Sequence, residues 1–401
     1  MYCWRTFLVL CLVTLLGVQF AIASSARPSA SKTKLRVANS VEDDWLGGFG
    51  VWSNPGHWSD DIPALDSDVF IATGNDDVSL DVSDSVTSLS LGGSSGNSTL
   101  DGTLGQKLSI SGSFRVGQSG NFYLGNGGSL SASQVYNRGH IDAFTARDHI
   151  SGQSLTNYDT GFFNIDFAHG SFASISNSGT VDVHDGQAEL QIINDYNNYG
   201  QTNVVMRGHL GVGGTLNNLS GSALNIGGLA ATATSNIVIN YGAINQTNGN
   251  LAASTLVNGG TMQADHFSRI QIGSGNAGTA GYYQFGNGSF AEAIGTGYFG
   301  QLTIDGPAQL DGELSILLDN YAPLIGSTYK FINFTPGELS GSFASIQDPY
   351  FNDGKEMWEV QYDNADGFVQ LIAVPSPEPG SVMLILSGLL PIAGRIVKRI
   401  S

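Results

Sequence analysis

The sequence predicts an all-β protein: a single elongated parallel β-helix, or β-solenoid, with the right-handed form as the commoner expectation. Three observations predict it. A glycine returns at Gly102, Gly120, Gly139, Gly161, Gly179, Gly200, Gly221, Gly242, Gly260, Gly281 and Gly300, in steps of 18 to 22 residues. Between the glycines, apolar and small polar residues alternate, as Leu108, Ile110, Phe114 and Val116 do in LSISGSFRVG, the period of a strand with one buried face. Gly makes up 54 of 401 residues and charged residues only 12%, while the apolar share is an ordinary 41%. Such a chain can bury a core, but it favours short strands and tight turns over helices.

The period is that of one solenoid coil and is too short for a propeller blade of ~40–45 residues. The recurring phrase is a polar residue, often Asn, then one residue, then Gly, then a β-branched or apolar residue, as in YNRGHIDAF, SNSGTVDV, NNYGQTNVVM and INYGAINQ. Glycine is expected at a corner because it enters positive φ without penalty. Asn tolerates the same region, and Asn at equivalent corners is expected to stack in hydrogen-bonded ladders. No window between 41 and 374 joins helical periodicity to good helix formers and caps.

The elements follow in order. Residues 1–23 read as a secretory signal peptide: Arg5 precedes the apolar FLVLCLVTLLGV, and Ala21 and Ala23 supply the small residues of a cleavage site. Residues 24–40 are a flexible leader rich in Ser, Lys and Arg. Both cysteines, Cys3 and Cys11, fall in the signal, so no disulfide and no thiolate chemistry is expected in the mature chain. Residues 41–100 form an N-terminal β cap, in which Trp45, Trp52 and Trp58 are read as closing the end of the core in preference to a carbohydrate platform. Residues 101–300 are the solenoid. Residues 301–374 are a C-terminal antiparallel β cap, with Phe331, Phe334, Phe343 and Trp358 in its core. Such covers are needed because a solenoid end exposes unpaired strand edges.

Residues 375–401 depart from this pattern. The Pro-rich stretch Val374-Pro375-Ser376-Pro377-Glu378-Pro379 suits neither helix nor central strand and reads as a stiff linker. The following SVMLILSGLLPIAG is uncharged and interrupted by Gly388 and Pro391. As a helix it spans ~21 Å at ~1.5 Å per residue, short of a ~30 Å hydrocarbon core. Arg395, Lys398 and Arg399 then mark a cytoplasmic end. The whole reads as a short, temporary transmembrane anchor behind a cuttable linker, with a permanent anchor as the alternative.

Residues that could carry chemistry are scattered. The seven histidines, His57, His140, His149, His169, His184, His209 and His266, form no zinc spacing. At a period near twenty, His140 and the group from His169 to His209 could approach on neighbouring coils, though solvated or stacked histidines are the expectation. Asp43-Asp44, Asp60-Asp61 and Asp76-Asp77 are adjacent pairs whose members would point to opposite faces of a strand. The orders that mark calcium loops are missing. No nucleophile elbow, P-loop or dinucleotide fingerprint occurs, and GVGG at Gly211–Gly214 is a repeat corner. No catalytic residue, cofactor or metal is therefore expected. A formal net charge of −18 argues against nucleic acid as a partner.

The tail residues Pro377, Glu378 and Pro379, then Gly380-Ser381, an apolar run and the basic Arg395, Lys398 and Arg399 resemble the bacterial PEP-CTERM sorting signal. The resemblance implies recognition by an exosortase-type membrane enzyme after transient insertion in the inner membrane. It further implies removal of the tail and delivery to the cell envelope or extracellular matrix, often alongside exopolysaccharide. The body is similar to autotransporter passenger arrays, in Tyr298-Phe299-Gly300-Gln301-Leu302 followed by Ala308–Leu314, and in Gly341-Ser342-Phe343 ahead of Trp358. The reading is an exported structural or adhesive protein that binds polysaccharide along one face. The alternative is a secreted polysaccharide lyase or glycoside hydrolase on the same scaffold, which would show carboxylates at matching positions of consecutive coils.

Overall fold

In a computed structural model the described residues are 40–265, 267–273, 280–319, 321–347 and 349–377. They form a parallel β-solenoid of about 12 turns with additional antiparallel strands. Among them the one helical segment is the 3-10 turn Pro55–His57, and no helix is long and apolar enough to cross a membrane. The predicted signal peptide with Ala21 and Ala23, the leader up to residue 39, and the terminal anchor with Glu378, Pro379, Arg395, Lys398 and Arg399 lie outside the described residues.

Each coil contributes to three parallel sheets. In a representative coil, Ser129–Asn137 bends once, so its start joins the third sheet and its end the first, and His140–Ala143 joins the second. The next coil repeats this with His149–Asn157 and Phe162–Asp166, and the one after with His169–Asn177 and Thr180–His184. Registry is in step throughout: Val135 faces Leu155, which faces Ile175, and Ile141 faces Phe163, which faces Val181. All six are buried. The alternation in the sequence thus becomes continuous inward rows, each side chain contributing ~1.5–3 kcal/mol on burial. Outward positions are mostly polar because they face water, with aromatic exceptions such as Phe162.

A second row runs inside the corner between the first and second sheets. Asn137, Asn157, Asn177, Asn198, Asn218, Asn240 and Asn258 stack on one another, all at most 1% exposed. The amide Nδ2 of each of the first six donates to Oδ1 of the next at 2.8–2.9 Å. It also donates to a main-chain carbonyl of the following coil, as Asn177 does to Gln201 O at 2.9 Å. Gln284 continues the row by donating to Asp311 O at 2.7 Å. The expected ladder is therefore present. Its cause is satisfaction of buried carbonyls, since none of these Asn residues has positive φ.

The glycines require a similar correction. Gly221 has the expected positive φ, 84°, with open space where a Cβ would stand, but Gly120, Gly139, Gly161, Gly179, Gly200, Gly242 and Gly260 occupy this corner and none of these seven is left-handed. They are glycine because the coils stack too closely for a side chain. A Cβ on Gly179 would fall less than 3.0 Å from the carbonyl oxygens of Gly161 and Tyr158, and one on Gly139 would meet those of Gly117 and Gly120. The predicted periodicity also slips at its ends. Gly102 ends the strand Asn97–Gly102, Gly281 opens a first-sheet strand, and Gly300 precedes Gln301–Ile304. The corner is continued instead by Gly288 and Gly312, immediately before Ser289 and Glu313. Between Ile272 and Gly281 the chain has eight residues where coils such as Ser129–Asn137 have a single bend residue, and six of the eight, 274–279, lie outside the described residues.

Parallel pairing extends beyond residues 101–300 in both directions. It starts with Val41–Asp44 on Ser67–Ile71 and ends with Glu313–Leu318 on Ser345–Gln347. At the start, Trp45, Trp52 and Trp58 are buried and meet edge to face with centroids 5.0 Å apart, and His57 stacks on Trp45. Trp52 Nε1 donates to Asp84 and Trp58 Nε1 to Trp52 O. At the other end Thr328–Asn333 pairs antiparallel with Phe368–Pro375, which pairs antiparallel with Glu356–Asp363. Phe331, Phe334, Phe343 and Trp358 are buried there. Gln301–Ile304 and Ala308–Leu310, read as part of the antiparallel closure, pair parallel with their coils. Pro375 ends a strand, opposite Glu356. It is tolerated because its nitrogen side lies beyond Thr328–Asn333, the last main-chain bonds on that side running from Ala373 N to Ser327 O and from Gly326 N to Ala373 O.

One inward position opposes burial. Glu292 lies between Ala264 and Ile316 in the second sheet, fully buried, and among the described residues no hydrogen bond reaches either carboxylate oxygen. Burial pushes its carboxyl well above the usual range, only partly offset by the nearby Gly300 amide. The raised folded pKa means this site is most favourable below about pH 4.5, the unfolded value. Stability is lost as pH rises through the folded pKa. Glu292→Gln is expected to flatten that dependence, so that its urea midpoint falls less than that of the wild type as pH is raised above the ordinary glutamate range. Parallel pH profiles of wild type and variant would contradict this.

Candidate functional site

The third sheet presents a row of hydroxyls to solvent. Ser85, Ser109, Ser131, Ser151 and Ser171 are cross-strand neighbours on consecutive coils, and Gln191 ends the row. Ser111, Ser133 and Gln153 flank it where the strands bend toward the first sheet, and together with the five serines of the row they line a groove of about 550 Å³ floored by Ile110 and Ala132. Ser133 Oγ donates to Ser111 O at 2.6 Å. A further hollow of about 570 Å³ shares Leu65, Ser85 and Ser109 with this groove and reaches Lys107. Small side chains at the bend leave the trough open, and each serine offers a donor and two acceptors.

Two residues earlier on the same strands stands a column of titratable groups: His149, His169, Glu189 and His209. His169 Nδ1 lies 3.7 Å from one carboxylate oxygen of Glu189, and His209 Nδ1 lies 3.6 Å from the other. Burial, then the neighbouring His169, holds His149 below the usual imidazole range.

The second sheet carries a different outward constellation. Asn164 donates to Asp142 at 2.8 Å and Asn203 to Asp182 at 2.6 Å, and the row continues through Asn225 and Asn245. His140 lies 3.7 Å from Asp142 and stacks on Phe162. Asp166 pairs in register with His184. His184 Nδ1 is 3.7 Å from Asp166 Oδ1 and 3.1 Å from Asp185 Oδ2. Burial raises the Asp166 carboxyl, opposed by His184 and reinforced by Asp185 and Asp142. Among the described residues Asp166, His184 and Asp185 are the group of three whose ligand atoms all lie within 4.8 Å of one another.

The residues singled out in the sequence are distributed accordingly. Pro377 is exposed two residues past the last strand, and the other sorting residues and His266 lie outside the described residues. Asp43 and Asp76 are buried while their neighbours Asp44 and Asp77 are not, as alternation requires; Ser67 donates to Asp43 and Ser98 to Asp76. Gly211–Gly214 sits at the bend of His209–Asn218. The sequence reading expected the histidines to be scattered. Register sets His149 beside His169, His169 and His209 on either side of Glu189 and His184 between two carboxylates, whereas His140, which could have approached that group, stands beside Asp142. It missed the serine row, although serines at 109, 131, 151 and 171 repeat at coil spacing.

Together these features define the chain as a three-sheet parallel β-solenoid with a hydroxyl-lined trough. No protein-family model matches it, and no curated protein is significantly similar.

Proposed function

We propose that the protein is an exported cell-surface or extracellular-matrix component with a structural or adhesive role, whose trough receives a polysaccharide. The observation that carries this reading is the serine row. Hydroxyls repeating at the ~4.8 Å rung spacing suit a polymer that repeats its own hydroxyls, and they demand no charge from it. Export and sorting rest on the terminal segments of the sequence. In this reading the apolar run inserts transiently, Arg395, Lys398 and Arg399 stay on the cytoplasmic side, and an exosortase-type enzyme recognises Pro377, Glu378 and Pro379.

The test uses the exported full chain in affinity electrophoresis through a panel of neutral polysaccharides. Wild type is expected to be retarded by at least one, and Ser151→Trp, which fills the trough from an outward position, to lose at least about tenfold in affinity with unchanged circular dichroism. Retardation by none, or equal retardation of the variant, overturns the trough assignment. The intact mass of the same preparation is expected to lack the apolar run, and a chain still ending at Ser401 overturns the sorting assignment.

A second reading, a polysaccharide-cleaving enzyme, is favoured by one observation. Asp142 and Asp182 occupy matching outward positions two coils apart, with Asp166, His140 and His184 beside them. Product release from the same panel that disappears in Asp182→Asn would establish it.

A further inference from the structure

We propose that Asp166, His184 and Asp185 bind a divalent transition-metal ion of the zinc type on the outer face of the second sheet. The proposal is independent of the polysaccharide reading. Three observations carry it. The three ligand atoms already converge within 4.8 Å, so small side-chain rotations bring them to the ~2.0–2.2 Å of zinc–nitrogen and zinc–oxygen bonds. Two of the ligands are fixed by the fold, because Asp166 and His184 are cross-strand partners in a ladder that runs from Phe162↔Thr180 to Asp166↔His184.

The third observation is an unmet need. Asp166 Oδ1 is shielded from solvent and has no hydrogen-bond partner. A salt bridge with histidine does not account for it. His184 Nδ1 carries at most one proton, and the closer acceptor is Asp185 Oδ2 at 3.1 Å, against 3.7 Å to Asp166 Oδ1. One imidazole N–H therefore satisfies one carboxylate and leaves the other orphaned, whereas a cation bound by all three satisfies both and uses the imidazole lone pair.

The donor set selects the class of ion. One imidazole nitrogen with two carboxylates suits zinc, manganese or nickel. Calcium takes six to eight oxygens and magnesium prefers an oxygen shell. All three residues are part-exposed, so the remaining coordination positions face solvent and take water or an oxygen from a partner molecule.

The test is calorimetric titration of the chelator-stripped full chain with Zn²⁺, with Ca²⁺ and Mg²⁺ in parallel. One Zn²⁺ site is expected, with no comparable Ca²⁺ or Mg²⁺ binding. Asp166→Asn and His184→Ala should each weaken it by more than the ~10–100-fold typical of changes around a metal site. A variant lacking His149, His169 and His209 together should bind as wild type does. Co²⁺ added to wild type should give a visible d–d band that disappears in Asp166→Asn while the variant keeps the far-ultraviolet circular dichroism of the wild type, which separates lost ligation from lost folding. No Zn²⁺ binding by wild type, unchanged binding by Asp166→Asn and His184→Ala, or loss of binding in the triple histidine variant each overturns the proposal.

Discussion

Asn177→Ala is expected to lower stability by about 2–4 kcal/mol, from an amide lost inside a continuous ladder and the cavity left behind. The side chain has no solvent contact. It donates to Asn198 Oδ1 and Gln201 O, each at 2.9 Å, and accepts from Asn157 Nδ2 at 2.8 Å. Removal deprives all three groups of a partner where water does not replace it. Asn177→Asp separates electrostatics from volume. It keeps the size but aims a carboxylate at the oxygens of Asn198 and Gln201, so near neutral pH it should be worse than alanine. Protonation restores a donor. The introduced carboxyl has a raised folded pKa, so its deficit should shrink below about pH 4 and grow as pH rises. Urea unfolding followed by far-ultraviolet circular dichroism measures both variants. An alanine variant within about 0.5 kcal/mol of wild type would show that the ladder is incidental to stability.

Gly179→Ala is expected to cost about 3 kcal/mol through overpacking, although it adds only a single methyl, at a buried corner. That methyl would lie less than 3.0 Å from two main-chain oxygens, of Gly161 and Tyr158, and 3.0 Å from Asn157 Nδ2. Main chain held in sheets on both sides of the corner cannot swing aside as a long side chain can, so relief requires neighbouring coils to separate. The shift would also disturb the Asn157–Asn177 bond. Gly93 is the control: no atom lies within 4 Å of where its Cβ would stand, and its φ is not left-handed. Gly93→Ala should stay within about 0.5 kcal/mol of wild type. Equal effects at the two positions, measured by the same unfolding curves, would refute the close-stacking explanation.

Much of the fold is legible along the chain because a solenoid is close to one-dimensional. Leu155 and Ile175 are twenty residues apart and become neighbours by one turn of the spiral, so spacing alone anticipates their contact. The Asn row is legible for the same reason. The candidate sites are less so. Ser131 and Ser151 read as ordinary outward strand residues until the bend at Ser133 and Gln153 makes a trough beside them. His184 and Asp166 are 18 residues apart in the sequence, whereas His149 and His169 are 20 apart. Which histidine meets a carboxylate depends on the length of each turn, and spacing shows that only approximately. Glu292 stands two residues after the buried Phe290, on the inward side of the alternation, but an acidic side chain reads as an outward one, so its burial escaped the sequence.

The sequence by itself determined the class of fold, the approximate pitch, the inward rows and the amide ladder, because each arises from local alternation repeated at a constant interval. Only the tertiary structure decided why the corners are glycine, where the stack begins and ends, and which outward side chains converge. Those depend on distances between main chains one coil apart, set by the packing of all three sheets at once and by no single segment.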